Sequence, residues 1–220
     1  MEPASHVIFD LDGTLLDTEP LYTRATEQVL ARFDKTYSWE LKRKMMGGRA
    51  LQSARTLVDA LSLPLTPAQY VALREPLVLE LCAEASEMPG AAALIESLAA
   101  RGIPMALGTS SDRHLCDVKL AGRSWANELR VIVCGDDSEV KRSKPAPDMF
   151  IETARQLGAD PATTVVFEDS PAGVAAGVAA GMRVVAVPDP RVSPDELVGA
   201  AVIVGSLDAF GPRERSAVGL

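Results

Sequence analysis

Two aspartates stand two residues apart at the end of an apolar run, Val7-Ile8-Phe9-Asp10-Leu11-Asp12-Gly13-Thr14. Clustered negative charge is costly unless a cation or a proton is shared, so such a pair asks for one or the other. A second acidic pair, Glu168-Asp169, closes the run Val165-Val166-Phe167. Taken singly, each pair reads equally well as a solvated loop or a helix cap. Placed together at the ends of buried strands, they read better as hard oxygen ligands of the kind Mg²⁺ prefers. The candidate metal set is therefore Asp10, Asp12, Glu168 and Asp169. Leu107-Gly108-Thr109-Ser110-Ser111 offers hydroxyls and backbone N–H groups suited to a phosphoryl oxygen, although a Ser/Thr run before a helix is more often a plain N-cap. Lys144, held by the Pro-containing turn Lys144-Pro145-Ala146-Pro147-Asp148, adds a cation ahead of a helix. A lone lysine is more commonly a solvated surface charge.

Chemistry of this kind needs strands whose ends converge. Short apolar runs rich in Val and Ile recur over 6–10, 104–109, 131–135, 164–169, 183–187 and 201–204, with the length and composition of buried parallel strands. Helical patterns lie between them. One covers 91–101, with Leu94, Ile95 and Leu98 on one face and Gly102 as the stop; another covers 148–157, between Pro147 and Gly158. The alternation predicts an α/β fold with a doubly wound parallel sheet.

From 18 to 87 the pattern is helical throughout, with Leu21, Ala25, Val29 and Phe33 on one face and later Leu51, Ala54, Leu57, Val58 and Leu61. Thr18 ahead of Pro20, Ser38, and Thr66 with Gln69 three residues on mark helix starts. The expectation is a four-helix cap over 18–87 inserted into a catalytic core of 1–17 and 88–220, with Pro76 kinking or splitting its last helix. The linkers at 13–17 and 87–90 would be hinges. Glycines at 173, 177 and 181 fall on one helical face, which reads as close packing on the sheet and not as a dinucleotide fingerprint.

A chain of 220 residues, 47% hydrophobic and 24% charged, can bury one substantial core plus a smaller appendage. Its net charge of −8 opposes nucleic-acid binding, while a metal and a few local cations can still hold a small anion. Cys82, Cys116 and Cys134 are widely spaced, offer no CxxC pair and read as reduced structural thiols. Neither a secretory signal nor a membrane span is evident, and the expectation is a cytoplasmic monomer with no membrane partner.

The ordered strings Asp10-Leu-Asp-Gly-Thr14, Gly108-Thr-Ser-Ser111, Lys144-Pro-Ala-Pro-Asp148 and Phe167-Glu-Asp-Ser170 resemble the haloacid dehalogenase superfamily across essentially the whole chain. The helical insertion after the first string resembles its β-phosphoglucomutase-like branch. Within that branch, segments such as Phe33-Asp34-Lys35-Thr36-Tyr37 and Gly135-Asp136-Asp137-Ser138-Glu139 resemble pseudouridine-5′-phosphatases and plant glycerol-phosphate phosphatases. The resemblance implies that Asp10 attacks phosphorus, Asp12 serves as general acid and base, and Thr109 and Lys144 hold the phosphoryl group. It also implies that Glu168 and Asp169 help bind Mg²⁺. The physical logic agrees: a carboxylate can form an aspartyl-phosphate if a metal and a lysine disperse charge as it approaches a dianion. The implied partner is a small phosphate ester, such as a sugar phosphate, a nucleotide or glycerol phosphate, with pseudouridine 5′-phosphate first among them and Ser110, Ser111, Glu19, Tyr22, Gly48 and Arg49 as candidate substrate contacts.

Asp12 sets the resemblance apart from dehalogenases and phosphonatases, which lack this second aspartate. A phosphomutase would use the same nucleophile and stays open as an alternative. A phospho-accepting signalling protein fits less well, because Asp12 would promote hydrolysis of an acyl-phosphate that signalling needs to last. No Cys-x5-Arg string and no Walker A string occurs, and His6 and His114 are too few for a histidine-rich dinuclear site.

Overall fold

A computed structural model describes residues 2–46 and 49–220. Six strands, β1 (His6–Phe9), β2 (Met105–Gly108), β3 (Leu129–Val133), β4 (Thr164–Glu168), β5 (Arg183–Ala186) and β6 (Val202–Ile203), form one sheet in the order β3-β2-β1-β4-β5-β6. Every pair is parallel, so the expected doubly wound α/β fold is present. The strands are apolar on both faces because helices cover both. Val7, Phe9, Leu107 and Phe167 pack on the side of Leu94, Ile95 and Leu98 from α5 (Ala91–Ala100). Ile8, Ala106 and Val166 face Met149 and Phe150 of α7 (Asp148–Leu157) and Val174 of α8 (Pro171–Ala179). Between β2 and β3 lies α6 (Arg113–Leu120), and α9 (Pro212–Val218) ends the chain. β3 begins two residues before the expected run, at the exit of a 3-10 turn over Ser124–Glu128.

The insert between β1 and α5 carries α1 (Glu19–Leu30), α2 (Trp39–Arg43), α3 (Ala50–Leu61) and α4 (Pro67–Cys82) around a small core of its own, built from Val29, Leu41, Leu57 and Tyr70 among others. Ser38 caps α2 by accepting from the Leu41 N–H at 3.2 Å, and Thr66 and Gln69 close a capping box at the start of α4. Two local expectations change. Of the two outcomes expected at Pro76, splitting does not occur: α4 runs through it, because burial of Tyr70, Val78 and Cys82 on either side outweighs one lost backbone bond. Thr18 precedes α1 but does not cap it; its hydroxyl is drawn to Asp12 instead, at 2.6 Å.

The two linkers into the insert run side by side. Asp17 N–H donates to Ser86 O and Met88 N–H to Leu15 O, each at 2.9 Å. Farther out, Arg43 meets Glu196, and Ser143 donates to Gln52 Oε1 at 2.6 Å, so the insert also rests on core loops. Cys82, Cys116 and Cys134 are buried free thiols. Among the described residues no helix is long and apolar enough to cross a membrane.

Candidate active site

The sheet order reverses at β1, which pairs with β2 on one side and β4 on the other. Crevices at such a switch point, outside the carboxyl ends of the strands, are where open α/β sheets take ligands. Asp10 follows β1 directly, Glu168 ends β4 and Asp169 follows it. The Asp10 N–H continues the ladder onto Phe167 O at 2.9 Å, so the two acidic pairs lie next to each other by construction. Gly13 has φ of +79°, and a Cβ there would run into the Asp169 carboxylate; only glycine makes this turn so close to an acid.

One oxygen each from Asp10, Glu168 and Asp169 lies within 4.8 Å of the others, and all three residues are buried. Lys144 Nζ bonds both Asp10 Oδ1, at 2.5 Å, and Glu168 Oε1, at 2.6 Å. The Ser170 N–H and hydroxyl hold the other Glu168 oxygen at 2.8 and 3.0 Å. Three carboxylates facing one ammonium leave two negative charges uncompensated, the charge of one divalent cation. Hard carboxylate oxygens at this spacing fit Mg²⁺. The electrostatics state the same need. Burial, then Glu168 and Asp12 against the opposing pull of Lys144, push the Asp10 carboxyl up to about 7. Burial and the neighbouring Glu168 and Asp10 raise Asp169 well above the usual carboxylate range. Burial presses Lys144 toward its neutral form, but Asp10 and Glu168 outweigh it and keep the ammonium charged.

Asp12 is bound differently. Its Oδ1 accepts from Thr18 and Lys119, and its Oδ2 from the Ser111 hydroxyl at 2.8 Å. Burial alone would raise its pKa; the Lys119 charge and these hydrogen bonds together bring it below the usual carboxylate value. Its carboxylate is thus committed to a second cluster and is not grouped with the three acids that could share an ion, in contrast to the expectation of four side-chain ligands.

A cavity of about 160 Å³ opens between core and insert, with Asp10, Asp12 and Asp169 on its floor. Ser110, Ser111, Glu19 and Tyr22 line it. Thr109 is buried at the end of β2, where its hydroxyl accepts from the Ser111 N–H at 3.1 Å and so shapes the turn carrying both serines. Arg49 is a correction. It does not line the cavity; its guanidinium donates to the Val140 carbonyl of a core loop, because α3 starts beside that loop and presents Arg49 to it. Gly48 lies outside the described residues.

Three basic residues escaped the sequence reading. Lys42 and Arg74 line the insert side of the cavity, Lys42 paired with Glu19 at 3.0 Å and Arg74 stacked 5.0 Å over the Tyr22 ring. Lys119 is fully buried beside Asp12. A signal existed for the last: with Cys116 three residues before it, Lys119 occupies the inward stripe of α6, where an apolar residue is the rule.

Residues 7–187 match the model of the haloacid dehalogenase-like hydrolase family. The chain is 42% identical to (DL)-glycerol-3-phosphatase 2 of Arabidopsis thaliana, over 96% of this chain and 90% of that protein. It is 40% identical to a Drosophila melanogaster protein named "Probable pseudouridine-5'-phosphatase", over 97% and 94% of the two chains. Among solved structures it is similar to CbbY from Rhodobacter sphaeroides in complex with phosphate, with a TM-score of 0.83 and 26% identity over 94% and 96% of the two chains. With the switch-point acids, the bridging lysine and these matches in agreement, the chain belongs to the haloacid dehalogenase-like hydrolase family.

Proposed function

We propose that this protein is a magnesium-dependent phosphatase of small phosphomonoesters that works through a phosphorylated Asp10. The observation that carries the reading is the cluster of Asp10, Glu168 and Asp169, with Lys144 bridging Asp10 and Glu168, at a cavity whose floor Asp10 and Asp169 form. Asp10, Glu168 and Asp169 would hold the ion, which when bound offsets the charge of the acids and of the phosphate. Asp10 then attacks phosphorus and the ester oxygen departs. Lys144 keeps Asp10 oriented and meets the charge that develops on the phosphoryl oxygens. Asp12, ionised in the free protein, takes up the proton that a monoanionic phosphate ester brings, passes it to the departing oxygen, and then takes a proton from the water that cleaves the acyl-phosphate. Ser110 and the turn shaped by Thr109 receive the phosphoryl oxygens.

The leaving group sits under the insert, and its size is bounded. A cavity near 160 Å³, open on one side and shared with the phosphoryl group, suits a compact polar leaving group. Lys42, Glu19 and Arg74 around it suit hydroxyl groups. Glycerol phosphate and small sugar phosphates are the compact esters to try first, with pseudouridine 5′-phosphate as the larger alternative. Names of relatives point to both kinds of ester. The test is phosphate release from glycerol 3-phosphate, fructose 1-phosphate and pseudouridine 5′-phosphate, with Mg²⁺ and after chelation. The reading expects Mg²⁺-dependent release, fastest for the polyol esters. Release that survives exhaustive chelation contradicts the metal role, and accumulation of an isomeric sugar phosphate in place of free phosphate marks a phosphomutase.

A further inference from the structure

Lys119 is the one fully buried lysine that the mechanism above leaves without a task among the described residues. Its stem enters from α6, and its ammonium donates to three acceptors: Asp12 Oδ1, Tyr22 Oη at 2.6 Å and Ser111 Oγ at 2.8 Å. Those three donors are all that an ammonium has. The acceptors come from three separate places: the turn after β1, the turn after β2, and helix α1 of the insert. Ser111 in turn donates to Asp12 Oδ2, and Thr18, at the entrance to the insert, donates to Asp12 Oδ1. The Tyr22 ring also lies 4.9 Å from the same ammonium.

A long flexible side chain with no exposed surface is costly to bury unless its charge and every donor are satisfied. Here that satisfaction needs the insert to be in place, since one acceptor of three is Tyr22. The side chain of Asp12 keeps 18% of its surface, which faces the cavity. We propose that Lys119 is a positioning residue that fixes the Asp12 carboxylate over the cavity and makes that placement depend, through Tyr22, on the insert resting against the core. The proposal rests on the phosphatase reading, because it presumes that Asp12 moves the proton. It differs from a packing role: it predicts a loss in turnover that is separate from ion binding, because the Asp10, Glu168 and Asp169 cluster is held by Lys144 and Ser170 and not by Lys119.

A double-variant cycle tests it, with kcat, KM and the Mg²⁺ half-saturation measured on glycerol 3-phosphate for Lys119→Met, Tyr22→Phe and the pair. Lys119→Met is expected to lower kcat by about 100-fold, the lower end of what a placed proton-transfer group contributes, with Mg²⁺ half-saturation unchanged. Tyr22→Phe is expected to lower kcat by a smaller factor, and the double variant to be no slower than Lys119→Met alone, since Tyr22 acts through Lys119. Losses that multiply, a kcat equal to wild type, or a defect that follows Mg²⁺ affinity would overturn the proposal. If Lys119→Met does not fold, the cycle of Tyr22→Phe with Ser111→Ala replaces it. The two hydroxyls meet on the same ammonium, so a combined loss smaller than the product of the single losses is expected, and multiplying losses overturn the idea. An inactive wild type would instead reject the phosphatase reading itself.

Discussion

As the proposed nucleophile, Asp10 must be an anion in a place that suppresses anions. Burial and neighbouring acids push its carboxyl up to about 7, and Asp169 beside it is raised as well. Both therefore hold protons more tightly than ordinary carboxylic acids do, and a cation must compete with those protons. Binding of Mg²⁺ should release protons and weaken as pH falls, because a proton competes for the same oxygens. Thermal shifts titrated with Mg²⁺ should give tighter half-saturation at about pH 8 than at about pH 6; equal affinity at the two would remove the proton linkage. A second residue-scale prediction concerns Gly173. A Cβ there would collide with the Glu168 carboxylate, which Lys144 and Ser170 hold in place and which cannot swing aside. Gly173→Ala should cost about 1–3 kcal/mol as overpacking and weaken Mg²⁺ binding, read from melting midpoints with and without the ion. An unaltered midpoint and unaltered Mg²⁺ response would show that the carboxylate has room. The sequence reading had taken Gly173 as part of a packing stripe; Gly177 does pack on Val184, while Gly173 packs on the site itself.

At the scale of elements, the strand ends were legible because aspartate and glutamate are foreign to buried apolar runs, so Asp10 and Glu168 announce where β1 and β4 stop. The insert was legible from its period and its caps, as Ser38 and Thr66 show. What could not be read is which face of each helix looks at the cavity. Arg49 follows a Gly-Gly pair and so looked like a substrate contact, yet its guanidinium ends on the Val140 carbonyl. Lys42 and Arg74 carried no local mark, since a basic residue on an amphipathic helix is ordinarily solvated. The element-scale prediction follows from that reassignment. Arg49→Ala should slow all phosphate esters by a similar factor, because it loosens how α3 sits on the core without touching the leaving group. Lys42→Ala and Arg74→Ala should instead change the ratio of polyol to aryl phosphate rates. A selective effect from Arg49→Ala, or uniform effects from the other two, would reverse these roles.

The whole molecule, with a net charge of −8, must bring a phosphate dianion to a floor of acids. It does so by dividing the charge between two lysine-centred clusters, Lys144 with Asp10 and Glu168, and Lys119 with Asp12. The first cluster was readable from sequence because its members end strands or precede a helix. The second was not, because its lysine arrives from a helix face and its tyrosine from the insert, a long-range meeting that only the folded sheet produces. The central claim is that the first cluster makes Asp10 a nucleophile that carries phosphate. The direct measurement is rapid acid quenching of the Mg²⁺-loaded protein during turnover of glycerol 3-phosphate, followed by peptide mass spectrometry. One added phosphoryl group is expected on the peptide containing Asp10 in the wild type, and none in a folded Asp10→Asn protein, which should also lack turnover. A phosphoryl group on any other residue, or full turnover by Asp10→Asn free of deamidation, would contradict it.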